Sequence, residues 1–145
     1  MDEAIKEVEL QPNIMRALDF IKKKGLKMAI VSYSNSEKIK EHIKPLEISH
    51  YFDLVLGGND VKHRKPHPEI AKLAMKFLKV KPKETLLIGD NDFDVETGKN
   101  AKTFTALYTG EKNRAFTHPD YYRKLKPDFE FQDFSELPEK ISHLL

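Results

Sequence analysis

Three aspartates, Asp90, Asp92 and Asp94, stand at alternate positions directly after the apolar run Leu86-Leu87-Ile88 and Gly89. Crowded carboxylates repel one another unless something positive lies among them. A hard cation is one such partner, because Mg²⁺ takes one or two carboxylates and keeps water positions that phosphate oxygens can occupy. Two other uses of the pattern compete. A calcium-binding helix–loop–helix opening at Asp90 needs Gly at its sixth position and Glu at its twelfth. Val95 and Ala101 stand there instead. Asp92 or Asp94 could also simply cap the helix that follows.

What lies at equivalent places elsewhere in the chain favours the metal. Ser32 ends the apolar run of "MAIVS", and its hydroxyl is followed by a turn that offers backbone N–H groups. Lys65 precedes Pro66, whose ring fixes the backbone and extends the residue before it. A hydroxyl, a fixed ammonium and a metal-binding carboxylate are the groups needed to surround a phosphoryl group. Tyr33 and Arg64 flank the expected phosphate position; Tyr33 is kept as a phosphate-binding candidate beside Ser32 and Lys65, although rim packing is the plainer role for both. His63 and His67 have the four-residue spacing of a helical metal pair. Pro66 and Pro68 forbid a helix there, so both read as loop histidines.

These groups need elements to hold them. Ile14, Leu18 and Ile21 fall at helical spacing, and the segment ends in three lysines and Gly25. Strands are expected over Lys27–Val31, Asp53–Leu56, "TLLIG", "TFTALYTG" and "DFEFQ", with helices over Ser36–Lys44, Glu69–Leu78 and Val95–Asn100. A polar, helical stretch is expected between the last two strands. Apolar strands alternating with helices predict a doubly wound, Rossmann-like α/β domain, a parallel sheet with helices on both faces. Ligands in such folds bind beyond the carboxyl ends of the strands. Ser32, Gly57-Gly58 and Gly89-Asp90 all belong to such ends.

The 145 residues suit one domain, 1–145, with no repeat or internal linker. Hydrophobic residues are 39% and charged residues 33%, with a net charge of +2 spread over interleaved Lys and Glu. That composition reads as soluble and cytoplasmic, and it argues against a nucleic-acid or membrane partner. Cysteine is absent, which excludes disulfides, thiolate metal sites and cysteine nucleophiles. The aromatics Phe116, Tyr121, Tyr122, Phe129, Phe131 and Phe134 read as core or as a covered surface.

Taken together, "AIVS" with Ser32, Lys65-Pro66, and Gly89-Asp90 with Asp94 resemble the second, third and fourth motifs of the haloacid dehalogenase superfamily, in its phosphoglycolate-phosphatase-like branch. The resemblance runs from about Gln11 to the C-terminus; residues 1–11 resemble the return from that family's cap. It implies that Ser32 hydrogen-bonds phosphoryl oxygens, that Lys65 neutralises phosphate and nucleophile, that Asp90 binds Mg²⁺, and that Asp94 supports the metal site. Asp92 is extra to the pattern and receives no catalytic role. Lys102 departs from it, standing where the branch has glycine in a turn.

The family's first motif, an apolar strand ending in Asp-x-Asp whose first aspartate is the nucleophile, has no counterpart here. Asp2 follows no apolar strand, Asp19 falls within a helix pattern, and Asp53 opens a strand. "LLIGDNDFD" lies after the Lys-Pro signal and occupies the place of the fourth motif. The expectation is an α/β core without its central first strand. Its neighbours would close up, residues 5–11 would fill in, or a second polypeptide or second copy would supply the strand. Two functions stay open: a Mg²⁺-dependent phosphatase of small phosphomonoesters that is incomplete alone, or a non-catalytic phosphate-binding or regulatory module.

Overall fold

The computed structural model describes residues 13–110 and 126–145. In chain order they form α1 (Ile14–Lys23), β1 (Ala29–Val31), α2 (Ser36–Ile43), β2 (Leu54–Leu56) and α3 (Glu69–Leu78). These are followed by β3 (Leu86–Gly89), α4 (Asp92–Asn100), β4 (Phe104–Tyr108), β5 (Phe129–Phe131) and α5 (Leu137–Ser142). Strand and helix alternate through α4 as the apolar pattern predicts, and every strand pair is parallel. The first strand starts at Ala29 and not at Lys27, because the Met28 N–H bonds the Asp53 carboxylate at 2.9 Å instead of a strand partner. The expected polar helix, with Phe116, Tyr121 and Tyr122, lies outside the described residues.

The strands form two sheets, β1-β2 and β3-β4-β5. Among the described residues β1 and β3 are not paired with each other, so the neighbours do not close up. Residues 5–11 lie outside the described residues.

Two helices hold the half-sheets together, one on each face. On one face Leu18 of α1 packs with Ile39, Ile43, Ile48 and Tyr51 against Ile30 of β1. The adjacent Ala17 packs with Ala106, Phe131, Leu137 and Ile141 against Leu86 of β3. On the other face α3 does the same: Ile70 and Ala74 meet Leu56 and Val31, while Ala71 and Met75 meet Leu87. Neighbouring residues of a strand point to opposite faces. Ile30 with Leu86, and Val31 with Leu87, therefore separate the α1 side from the α3 side. Burying a side chain such as Ile39 or Leu18 contributes about 1.5–3 kcal/mol, so these paired stripes are the main cement of the split sheet.

Between the straps the strand edges are less protected. β1 is only half-buried along its length, and Ile88 of β3 is 38% exposed. Strands inside a parallel sheet covered on both faces are normally buried throughout. The gap between β1 and β3 is thus an open seam in an otherwise closed core. Among the described residues, no helix is long and apolar enough to cross a membrane.

Candidate active site

The segments that follow β1, β2 and β3 at the carboxyl rim each present one element of the site. Ser32 follows β1, is buried, and donates its N–H to the Leu56 carbonyl at 3.1 Å, extending the strand pairing by one residue. Its Oγ accepts from the Ser34 N–H at 3.3 Å. One of the turn's donors is therefore already in use, and the Ser36 N–H is held by Asn59 Oδ1 at 2.8 Å. This turn lies against β2's end so closely that a Cβ on Gly58 would stand 2.4 Å from the Tyr33 carbonyl oxygen. Glycine is required there by contact, not by an unusual φ.

Lys65 reaches the rim from the loop between β2 and α3, immediately before a cis Lys65–Pro66 bond. Its Nζ donates to Asp94 Oδ1 at 2.8 Å and to the Val31 carbonyl at 3.3 Å. The ammonium therefore lies across the seam, joining the end of β1 to the start of α4. Its loop is tied down at both flanks. Asn100 Nδ2 donates to the Pro66 carbonyl at 2.8 Å, and the Glu69 carboxylate accepts the N–H groups of Lys62 and His63. Those backbone bonds hold the Glu69 carboxyl below its ordinary pKa, and burial opposes them.

The aspartate cluster divides by role. Asp94 is buried; Oδ1 takes the lysine and Oδ2 accepts the Asp90 N–H at 3.1 Å. A Cβ on Gly89 would stand 2.1 Å from the Asp94 Cβ, so the glycine makes room for that carboxylate. Neither Asp92 nor Asp94 is the helix cap. Asn91 is, its Oδ1 accepting from the Asp94 N–H at 3.1 Å, and α4 accordingly starts at Asp92 and not at Val95. Asp92 and Asp94 sit in the first turn, where the helix dipole favours negative charge.

The donor set fits part of a magnesium shell. Asp90 follows β3 at the rim, while both oxygens of Asp94 are committed, which suits support better than direct ligation. Among the described residues no three His, Cys, Asp or Glu side chains are gathered as a metal cluster. His63 and His67 stack at 4.5 Å in the loop; His67 Nδ1 accepts from the Glu69 N–H and His63 contacts the Glu69 carboxylate. The expected loop role describes them.

Tyr33 turns inward. Its hydroxyl donates to the Lys65 carbonyl at 2.8 Å, and its ring lies under the same residue's ammonium, 5.4 Å from centroid to Nζ. Phe129, Phe131 and Phe134 pack with Tyr108 as core. Asn91, Asn59 and Asn100 were not singled out from the sequence. The position of Asn91, directly before a helical run, is a capping signal that could have identified it. Nothing local marks the other two, since their partners lie 23 and 34 residues away.

Known proteins resemble the chain in sequence and in fold. Residues 1–108 match the family model described as haloacid dehalogenase-like hydrolase. The chain is 35% identical over 144 residues to the "Pyrophosphatase PpaX" of Bacillus thuringiensis (strain Al Hakam), covering 99% of this chain and 63% of that protein. It thus spans just under two thirds of the curated relatives it matches. Its fold resembles a putative beta-phosphoglucomutase from Thermotoga maritima, with TM-score 0.82 and 24% identity over 93% of this chain and 61% of that one. A predicted phosphoglycolate phosphatase from Haemophilus somnus 129PT has TM-score 0.80 and 25% identity, covering 91% and 56% of the two chains. The chain belongs to the haloacid dehalogenase-like hydrolases.

Proposed function

We propose that this chain is the phosphoryl-binding part of a Mg²⁺-dependent phosphatase whose attacking carboxylate enters on an additional strand between β1 and β3. The observation that carries the proposal is the buried Lys65 ammonium lying across the open seam, between the Val31 carbonyl and Asp94. A cation in that place is positioned to neutralise a phosphoryl group held at Ser32. It would also neutralise a carboxylate arriving at the end of a strand beside β1. Asp90 would supply one oxygen to the metal and Asp94 would support it, as the resemblance implies. Bound Mg²⁺ would offset negative charge on the phosphoryl oxygens.

The substrate class is a small phosphomonoester, and the relatives' printed name, pyrophosphatase, extends it to a phosphoanhydride. In either case one P–O bond breaks after attack by the incoming carboxylate, and water then releases phosphate. Ser32, Lys65 and the metal can stabilise such a transition state but cannot attack it. Loss of a nucleophile costs about 10⁶ in rate in a well-studied hydrolase.

The test is hydrolysis of p-nitrophenyl phosphate and of pyrophosphate by the purified chain, with and without a polypeptide bearing an apolar strand that ends in Asp-x-Asp. The polypeptide can be a separate piece or a fused one. Turnover should be negligible without it. With it, turnover should appear and should depend on Mg²⁺, Lys65 and Asp90, with Asp92→Asn nearly silent. Robust turnover by the chain alone would overturn the proposal. Phosphate binding that no added strand converts into turnover would favour the non-catalytic module.

A further inference from the structure

We propose that Tyr33 is a positioning residue for Lys65, gripping the lysine at its own main-chain carbonyl and at its ammonium together. The proposal rests on the reading of Lys65 as the phosphate-neutralising group. Lysine is a point charge on four rotatable bonds, and nothing intrinsic aims it. Here its two ends meet the two ends of one side chain. The phenol hydroxyl donates to the Lys65 carbonyl at 2.8 Å, and the ring face lies 5.4 Å from Nζ, within the range of cation–π attraction. A residue present only to fill space would need neither contact.

The tyrosine is itself firmly mounted. Gly58 packs against the Tyr33 carbonyl and donates its N–H to the Ser34 carbonyl at 2.9 Å, while Asn59 holds the Ser36 N–H. The turn that carries the Ser32 hydroxyl therefore also carries the grip on the ammonium. One rigid unit sets the distance between two groups that would face the same phosphoryl oxygens. The phenol also keeps the proton it donates. Burial, then the charge of Asp94, raise its pKa, and Arg64 only partly opposes them.

The experiment compares the wild-type chain with Tyr33→Phe and Tyr33→Leu by NMR. It reads amide hydrogen exchange over residues 62–67, the shift of the Lys65 ε-methylene, and titration with inorganic phosphate plus Mg²⁺. In the wild type the methylene should be displaced upfield by the ring. Tyr33→Phe should keep that displacement, speed exchange over residues 62–67 about tenfold, and weaken phosphate about threefold. Tyr33→Leu should abolish the displacement and weaken phosphate about tenfold or more, with core amides of β4 unchanged in both variants. Exchange over 62–67 unaltered by Tyr33→Phe, or raised equally throughout β1 and β4, would overturn the inference. So would a Lys65 methylene that is indifferent to Tyr33→Leu. If phosphate fails to bind even the wild type while exchange and shifts behave as expected, the grip stands and the phosphate reading falls.

Discussion

Lys65 and Asp94 form a 2.8 Å ion pair with side chains only 6% and 10% exposed, and they come from opposite halves of a split sheet. Lys65 projects from the loop after β2, which belongs to the two-stranded half, and Asp94 from the helix after β3, in the three-stranded half. The pair is therefore a polar clasp at the rim, complementing the apolar straps of α1 and α3. Removing one partner of a buried pair leaves the other charge uncompensated.

Lys65→Met should accordingly destabilise the chain by about 3–5 kcal/mol. Adding Asp94→Leu to the same variant should recover much of that loss, because a buried pair replaced by apolar groups is often neutral. Urea unfolding of the two variants beside the wild type measures both. Equal instability in the single and the double variant would show that the clasp has no such role.

Gly89→Ala should behave as a site variant although it adds a single methyl. The new Cβ would lie 2.1–2.3 Å from the Asp94 side chain, which must then leave Lys65. Overpacking of this kind costs about 1–3 kcal/mol. The Lys65–Asp94 contact should be lost in a crystal structure of the variant, and Mg²⁺-supported phosphate binding should weaken with it.

The start of α4 offers a ranking. Asn91→Ala removes the acceptor of the Asp94 N–H and should cost about 1 kcal/mol. Asp92→Asn keeps the cap and removes a favourable charge from the first turn, worth about 0.3–1 kcal/mol. Thermal unfolding should order Asn91→Ala below Asp92→Asn; the reverse order would return the capping role to the aspartate.

Acid should weaken the tie between the two ends of the described fold. The Ser135 N–H, then the Asn13 amide, hold the Asp133 carboxyl below its ordinary pKa, with burial opposing. A carboxylate with a depressed folded pKa stabilises the fold above its unfolded pKa, near 4. That contribution disappears as pH falls through the lower folded value. Unfolding measured from pH 7 downward should show an acid limb below about pH 4 that is shallower in Asp133→Asn. Glu69, shifted in the same direction, should leave part of the limb in place.

The local pattern of residues determined the order of the described elements and the parallel class of the sheet. Apolar runs such as Leu86–Ile88 mark strands by their own composition, and helix α3 was legible to the residue from Pro68, Glu69 and its apolar stripe. Lys102, which the family resemblance marks as standing in the place of a turn glycine, takes φ 66°. Helix α4 begins about one turn before the expected Val95, because its cap is an asparagine among more conspicuous aspartates. Only the tertiary structure decided which charges meet. Lys65 and Asp94 are 29 positions apart, and Tyr33 and Lys65 are 32 apart, distances over which no periodicity operates. It also decided that β1 and β3 stay apart among the described residues, since this depends on α1 and α3 packing across both half-sheets at once. A strand's sequence states that it will pair, but the shape of the packed layers selects the edge.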